Sequence, residues 1–277
     1  MSAATELDDL AASTGTDLSV WAGPVAGPPW LTRRPDTVHP AASTLKLPLV
    51  IAAHRLAATG RLNLDDPVLV KSAFASAADG RPYELTVNYD NDDVVWRRLG
   101  EAVSIRWLME RAVVRSSNLA TNLLLEQVGT VAVNDVYDAV GAERSRLRRG
   151  IQDTRASALG ITNTGTAADL AAVVCGLLSG RLLDPAAADA VERLLAASEW
   201  NDAIPAGLPV GTYVAHKSGW TDECCHDVGV VRPAGDDPFV LSLFSSTSLA
   251  EEAANAVVAE AADICWRQRP RRRRLDA

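Results

Sequence analysis

The chain has 277 residues, 48% hydrophobic and 22% charged, with a formal net charge of −8. This is globular composition, long enough for one large domain or two joined ones, and it excludes a chain that binds polyanions with its whole surface. No apolar run reaches the length of a membrane span, and Met1–Asp9 has acids where a signal peptide has bases, so a soluble, cytoplasmic protein is expected.

Residues 4–12 read as a short helix, followed by two strands, one over Asp17–Ala22 and one around Trp30–Thr37, with Gly and Pro between them. From Ser43 the apolar residues Leu45, Leu49, Ala52, Ala53 and Leu56 recur at helical spacing to about Ala58, where Gly60 stops the run. Pro48 is tolerable there only in the first turn. Helices are then expected from a Ser104 cap to Val113, over Asn118–Gln127 and over Val131–Ala139. Thr166 with Asp169 reads as a capping pair for 167–178, and Asp184-Pro185 opens 185–197. Strands return at Tyr213–Lys217, Asp227–Arg232 and Phe239–Ser245, and Ser248 with Glu251 forms the capping-box pattern of a last helix to about Arg267. Cys175, Cys224, Cys225 and Cys265 have no metal-ligand spacing and read as small buried thiols. The tail Arg267–Arg274 reads as a solvated terminus without function.

Of 27 basic residues only three are lysine, Lys46, Lys71 and Lys217. Arginine stays charged at any working pH, whereas a lysine can be tuned to carry a proton. Two of the three lie in segments that look chemical. In Ser43-Thr44-Leu45-Lys46 the amine stands one helical turn from the hydroxyl, and a helix start favours developing negative charge. Such a pattern also occurs by chance. Arg115-Ser116-Ser117-Asn118 is a polar break between apolar helices, which by itself reads equally as a cap. His216-Lys217-Ser218-Gly219 ends a strand, where Lys and Ser would face a carboxylate and Gly lets the backbone approach; a plain edge-strand lysine is the simpler reading.

Together, in this order, the three segments resemble the S-x-x-K, S-D-N and K-T-G set of the penicillin-recognising serine enzymes, class A β-lactamases in particular. Ala42–Pro48, Asn118–Leu124 and Asn163–Leu170 extend the resemblance, which spans about residues 15–265. It implies an α+β fold of the class A β-lactamase/DD-peptidase kind, an antiparallel sheet flanked by helices with an inserted all-α domain. Residues 1–45 and 198–277 would form the α/β domain and 46–197 the helical one, with the active site at their interface. Ser43 would be the acylated nucleophile, Lys46 its proton acceptor and Ser116 a proton shuttle tuned by Lys217. Asn118 and Ser218 would orient the substrate, and the Ser43 and Trp220 N–H groups, flanking Gly219, would form the oxyanion hole. His226 stands where many class A enzymes have a carboxylate-binding arginine; a buried histidine bonded to a backbone carbonyl or to Asp227 is the alternative. No cofactor, metal, nucleic acid or membrane is implied. The partner would be a small molecule with an amide, lactam or ester carbonyl and a carboxylate.

Two departures stand out. Ser117 replaces the aspartate of the second motif, and Arg148–Asp153 lacks the E-x-x-L-N context that activates the deacylating water. Asp153 and Glu143, the nearest carboxylates, read as surface charges. The resemblance therefore implies Ser acylation without implying fast β-lactam hydrolysis. A β-lactamase-like hydrolase leads, followed by a cytoplasmic esterase, amidase or transacylase, and then by a non-catalytic binding module.

Overall fold

The strand-forming residues lie at the two ends of the chain, and neither end has enough of them for a sheet covered on both faces. The computed structural model, which describes residues 2–270, joins the two ends. From the N-terminus come helix α1 (Ala3–Thr14) and strands β1 (Asp17–Pro24), β2 (Leu31–Arg33) and β3 (His39–Pro40). A 3₁₀ turn, Ala42–Leu45, leads into α2 (Lys46–Ala58). The middle of the chain holds β4 (Pro67–Leu69), β5 (Ala73–Ala75), β6 (Pro82–Glu84), α3 (Asp93–Trp96), β7 (Ala102–Ser104), α4 (Ile105–Val114), α5 (Asn118–Val128) and α6 (Thr130–Ala139). It ends with α7 (Thr154–Ala158), β8 (Thr164–Gly165), α8 (Ala167–Leu178) and α9 (Pro185–Ala196). The last third gives β9 (Tyr213–Thr221), β10 (Cys224–Arg232), β11 (Phe239–Ser246) and α10 (Glu251–Gln268).

Five strands form one antiparallel sheet in the order β2-β1-β11-β10-β9. The N-terminal β1 pairs with the C-terminal β11, Val20 opposite Leu243, so the two ends of the chain share one sheet. β10 and β11 are buried along nearly their whole length because helices cover both faces. Leu7 and Leu10 of α1 and Val258, Ala261 and Ala262 of α10 cover one face. The almost wholly apolar α8 covers the other, and its core continues through α2, α4, α5 and α6. This order leaves β9 as an edge strand, lying against the 3₁₀ turn that carries Ser43.

Several local expectations change. The strand expected around Trp30–Thr37 shrinks to Leu31–Arg33. The 43–58 helix begins as the 3₁₀ turn, and Pro48 falls in the first turn of α2, where a missing N–H is tolerated. Thr166 caps α8 by accepting the Asp169 N–H, but the Asp169 carboxylate accepts from Arg144 and Ser145 N–H instead of closing the box. α10 has Ala250 at its N-cap, so Ser248 caps nothing. The helical block also carries the short pairs β4/β7 and β5/β6, while β3 pairs with β8 and α8 packs on the sheet. Cys224, Cys225 and Cys265 are buried and Cys175 half-buried. Arg267 is not frayed: it bonds Glu6 and Asp263 within the folded helix. Arg271–Arg274 of the tail lie outside the described residues. No described helix is long and apolar enough to cross a membrane.

Candidate active site

A cleft of about 710 Å³ opens between the β9 edge and the helical block. Ser43, Ser116, Asn118, Ser218, Gly219 and Trp220 all line it. Four described non-glycine residues have left-handed φ, and three of them, Ala42 (+44°), Ser116 (+57°) and Gln152 (+60°), lie on this cleft. Such conformations cost of order 1–3 kcal/mol each and persist where surroundings enforce them, so their clustering marks the site. Gly219 is required here: a Cβ on it would lie 2.8 Å from the Ser43 nitrogen and 3.1 Å from that of Thr44. The third motif lies within β9 rather than at its end, which brings its backbone against the Ser43 N–H.

Lys46 is fully buried one turn after Ser43, and its own N–H bonds the Ser43 and Thr44 carbonyls. Its Nζ donates to the Ser116 carbonyl (2.7 Å), to Ser116 Oγ (3.1 Å) and to Asn118 Oδ1 (3.0 Å). Burial first, then the Lys217 charge, pull its pKa well below the ordinary lysine value, with Asp90 opposing. A lysine so placed can exist neutral and accept a proton. Lys217 is also fully buried; its Nζ donates to the Ser218 carbonyl at 2.8 Å. Burial lowers its pKa to about 8, with Asp227 opposing. Lys71, by contrast, forms an exposed ion pair with Glu126. The two lysines of the motifs are the two the fold buries.

The wall formed by residues 148–163 is different. Arg149, Ile151, Gln152, Thr154, Ser157 and Asn163 line the cleft there, none of them a carboxylate. Asp153 is not a surface charge: it is buried and caps α7. Its Oδ1 accepts from Ser76 Oγ and Ala156 N–H, and its Oδ2 from Ala77 N–H. Burial works to raise its pKa, but those bonds and nearby Arg149 together hold it below the usual value. Glu143 is exposed, as expected. Ile151 is fixed through both backbone groups, its N–H to Asn122 Oδ1 (2.8 Å) and its carbonyl from Asn122 Nδ2 (3.0 Å). The carboxylates that do reach the cleft are Asp202, Asp222, Glu223 and Glu251, all from segments flanking β9 or opening α10.

His226 is not in the cleft. It is fully buried, stacked on Phe244 with ring centroids 4.2 Å apart. Its Nε2 donates to the Pro40 carbonyl at 2.6 Å and its Nδ1 accepts the Ser245 N–H at 3.1 Å. Burial lowers its pKa to about 3, so it stays neutral and cannot bind a carboxylate as a cation. Asp227 pairs instead with His216, whose Nδ1 lies 2.8 Å from Oδ1. Asp227 also accepts the Ile204 N–H, and Asn201 meets His216 Nε2, which ties the Trp200–Ala203 wall of the cleft to β9 and β10. Asp90, whose carboxylate holds the start of α5, escapes sequence reasoning entirely.

The sequence profile of the β-lactamase enzyme family matches residues 2–268. The β-lactamase of Streptomyces fradiae is 28% identical over 236 residues, 83% of this chain and 74% of that relative. An ancestral (GNCA) class A β-lactamase superposes with a TM-score of 0.82 at 26% identity, covering 96% of this chain and 99% of its own. PBP-A shares the fold, with a TM-score of 0.81 at 19% identity over 96% of this chain and 94% of its own. Fold and comparisons together define a serine hydrolase of the class A β-lactamase architecture. The chain belongs to the β-lactamase enzyme family.

Proposed function

We propose that the protein forms an acyl-enzyme on Ser43 from a small lactam, amide or ester and releases it slowly. The carrying observation is the contrast within one cleft: a Lys46–Ser116–Asn118 hydrogen-bond cluster beside Ser43, its lysine fully buried, facing a 148–163 wall that turns no carboxylate to the cleft. Lys46, whose pKa burial pulls well below the ordinary lysine value, takes the Ser43 proton in its deprotonated form as the hydroxyl attacks the carbonyl carbon. The tetrahedral oxyanion lies between the N–H groups of Ser43 and Trp220. Ser116 passes the proton to the leaving nitrogen or oxygen as that bond breaks, and charged Lys217 supports this step. Asn118 and Ser218 align the substrate's amide and carboxylate groups. Hydrolysis of the ester then needs a base beside an attacking water, and no side chain of the 148–163 wall supplies one.

The same observation favours a second reading, an esterase, amidase or transacylase in which another nucleophile takes the acyl group. The test is pre-steady-state hydrolysis of a chromogenic β-lactam. A burst of one equivalent per enzyme, followed by turnover that an added amine or alcohol accelerates, supports transfer. A burst with no acceptor effect supports slow hydrolysis, and linear release without a burst contradicts both.

A further inference from the structure

We propose that Asp90 is the positioning carboxylate of the second motif, supplied from a loop 27 residues before the Ser117 that stands in the aspartate's place. The proposal rests on the reading that Ser116 and Asn118 serve acyl transfer to and from Ser43. Asp90 Oδ1 accepts the Asn118 N–H at 3.1 Å, and Oδ2 accepts the Leu119 N–H at 2.7 Å and the Ser117 hydroxyl at 3.3 Å. These N–H groups open α5, where no helical carbonyl can reach them and the helix dipole favours an anion. The carboxylate thus grips the backbone directly after Ser116, whose left-handed φ otherwise disfavours its conformation.

The same loop fixes the Asn118 side chain at both ends. Asn118 Nδ2 donates to the Tyr89 carbonyl at 2.6 Å while Oδ1 accepts from Lys46 Nζ at 3.0 Å. Asp90 is itself held: Trp96 Nε1 donates to Oδ2 at 3.0 Å and the Asp92 N–H to Oδ1 at 3.2 Å. Asp92 in turn is buried and takes both Arg111 nitrogens at 2.5 Å. Ser117 Oγ, the motif's own side chain, caps the Ala120 N–H at 3.1 Å and leaves the two preceding N–H groups to Asp90. One carboxylate is needed there, and it comes from outside the motif.

The consequence is sign epistasis between Asp90 and Ser117. Asp90→Asn removes the anion, and Ser117→Asp sets a second anion against it. Each should slow acylation of Ser43 by about tenfold or more, since small misplacements of reacting groups cost up to about 10²-fold. The double variant D90N/S117D has one carboxylate at the helix start again and should return to within about threefold of the unsubstituted enzyme. Exchange protection restored in the double variant without restored acylation would confine Asp90 to helix support and overturn the proposal. Acylation is read as the rate of mass gain with a β-lactam, and amide exchange at Asn118 and Leu119 is followed in the same four proteins. Faster exchange in D90N that D90N/S117D reverses, together with the rate pattern, supports the proposal. Unchanged exchange in D90N, or a double variant slower than both singles, overturns it. If the unsubstituted enzyme is not acylated at all, the functional reading fails, while the exchange data still decide whether Asp90 holds the motif.

Discussion

The two walls of the cleft follow different rules. On the β9 side the packing is tight: Gly219 lies against the Ser43 nitrogen, Lys46 is fully buried with three hydrogen bonds from its Nζ, and Lys217 is fully buried with one. On the 148–163 side, the loop is pinned just as firmly, by Asn122 on Ile151 and by Asn163 on Arg148 and Arg149. Yet of the six residues it turns toward the site, Arg149, Ile151, Gln152, Thr154, Ser157 and Asn163, none is a carboxylate. Firm structure therefore does not distinguish the two walls; proton chemistry does. One wall carries the groups proposed to move protons, and the other holds its shape without them.

The largest effect should come from the chemical wall. Ser43→Ala should abolish covalent labelling by β-lactams or acyl esters while the melting curve stays unchanged. Labelling that persists, or that maps to Cys224 or Cys225, would remove the distinction at once. Lys46→Arg should lose about 10²–10⁴-fold in acylation, close to Lys46→Ala, because a guanidinium keeps the charge but cannot accept the proton. An arginine variant within tenfold of the unsubstituted enzyme would reduce Lys46 to a fixed charge.

The opposite wall can be tested by giving it what it lacks. Gly150 has no room for a side chain, since an added Cβ would strike the Tyr83 hydroxyl, and Gln152 is directed to the Thr86 N–H and the Tyr89 carbonyl. Ile151 lines the cleft with a side chain that makes no hydrogen bond, so a carboxylate there displaces none. Ile151→Glu should speed deacylation at least about tenfold, at the low end of what a placed general base contributes, with acylation little changed. Equal deacylation rates in the two proteins would mean that the missing carboxylate is not what limits turnover.

A pH profile gives an intermediate effect. Lys217 is charged below about 8 in the fold, so kcat/KM should have an alkaline limb near pH 8, absent from Lys217→Gln. In the unfolded chain the same amine holds its proton up to 10.5. Between these values the unfolded state binds more protons, so Lys217 makes stability rise with pH from about 8 to 10.5. Melting temperatures of the enzyme and of Lys217→Met across that window check this; the difference between them should shrink as pH rises.

The smallest effect on activity should be at His226. His226→Gln removes a ring stacked on Phe244 and disturbs two buried hydrogen bonds, at a stability cost of about 1–3 kcal/mol. The ratio of kcat/KM for carboxylate-bearing and neutral esters should not change. A selective loss for the carboxylate substrate would return His226 to the cleft.

What the sequence made legible follows from range. Ser43 and Lys46 are one turn apart, Lys217 to Trp220 are neighbours on one strand, and Ser104, Asp184 and Thr166 cap helices they directly precede, so local spacing sufficed. The groups that local spacing missed act across the chain. Asp90 reaches α5 from another loop, Asn122 grips Ile151 from 29 residues away, and His226 is withdrawn from the cleft by the Pro40 carbonyl, 186 residues upstream. Asp153 read as surface because two of its three partners, Ser76 and Ala77, lie 77 and 76 residues away. Partners brought together only by folding leave no periodicity to read.

The central claim, that acylation is intact and release slow, is tested most directly by intact mass on the unsubstituted enzyme. It would be mixed with a chromogenic β-lactam and quenched from milliseconds to hours. A single adduct, mapped to Ser43, should form early and persist long after the burst ends. Rapid consumption of many equivalents with no adduct at any time would contradict it.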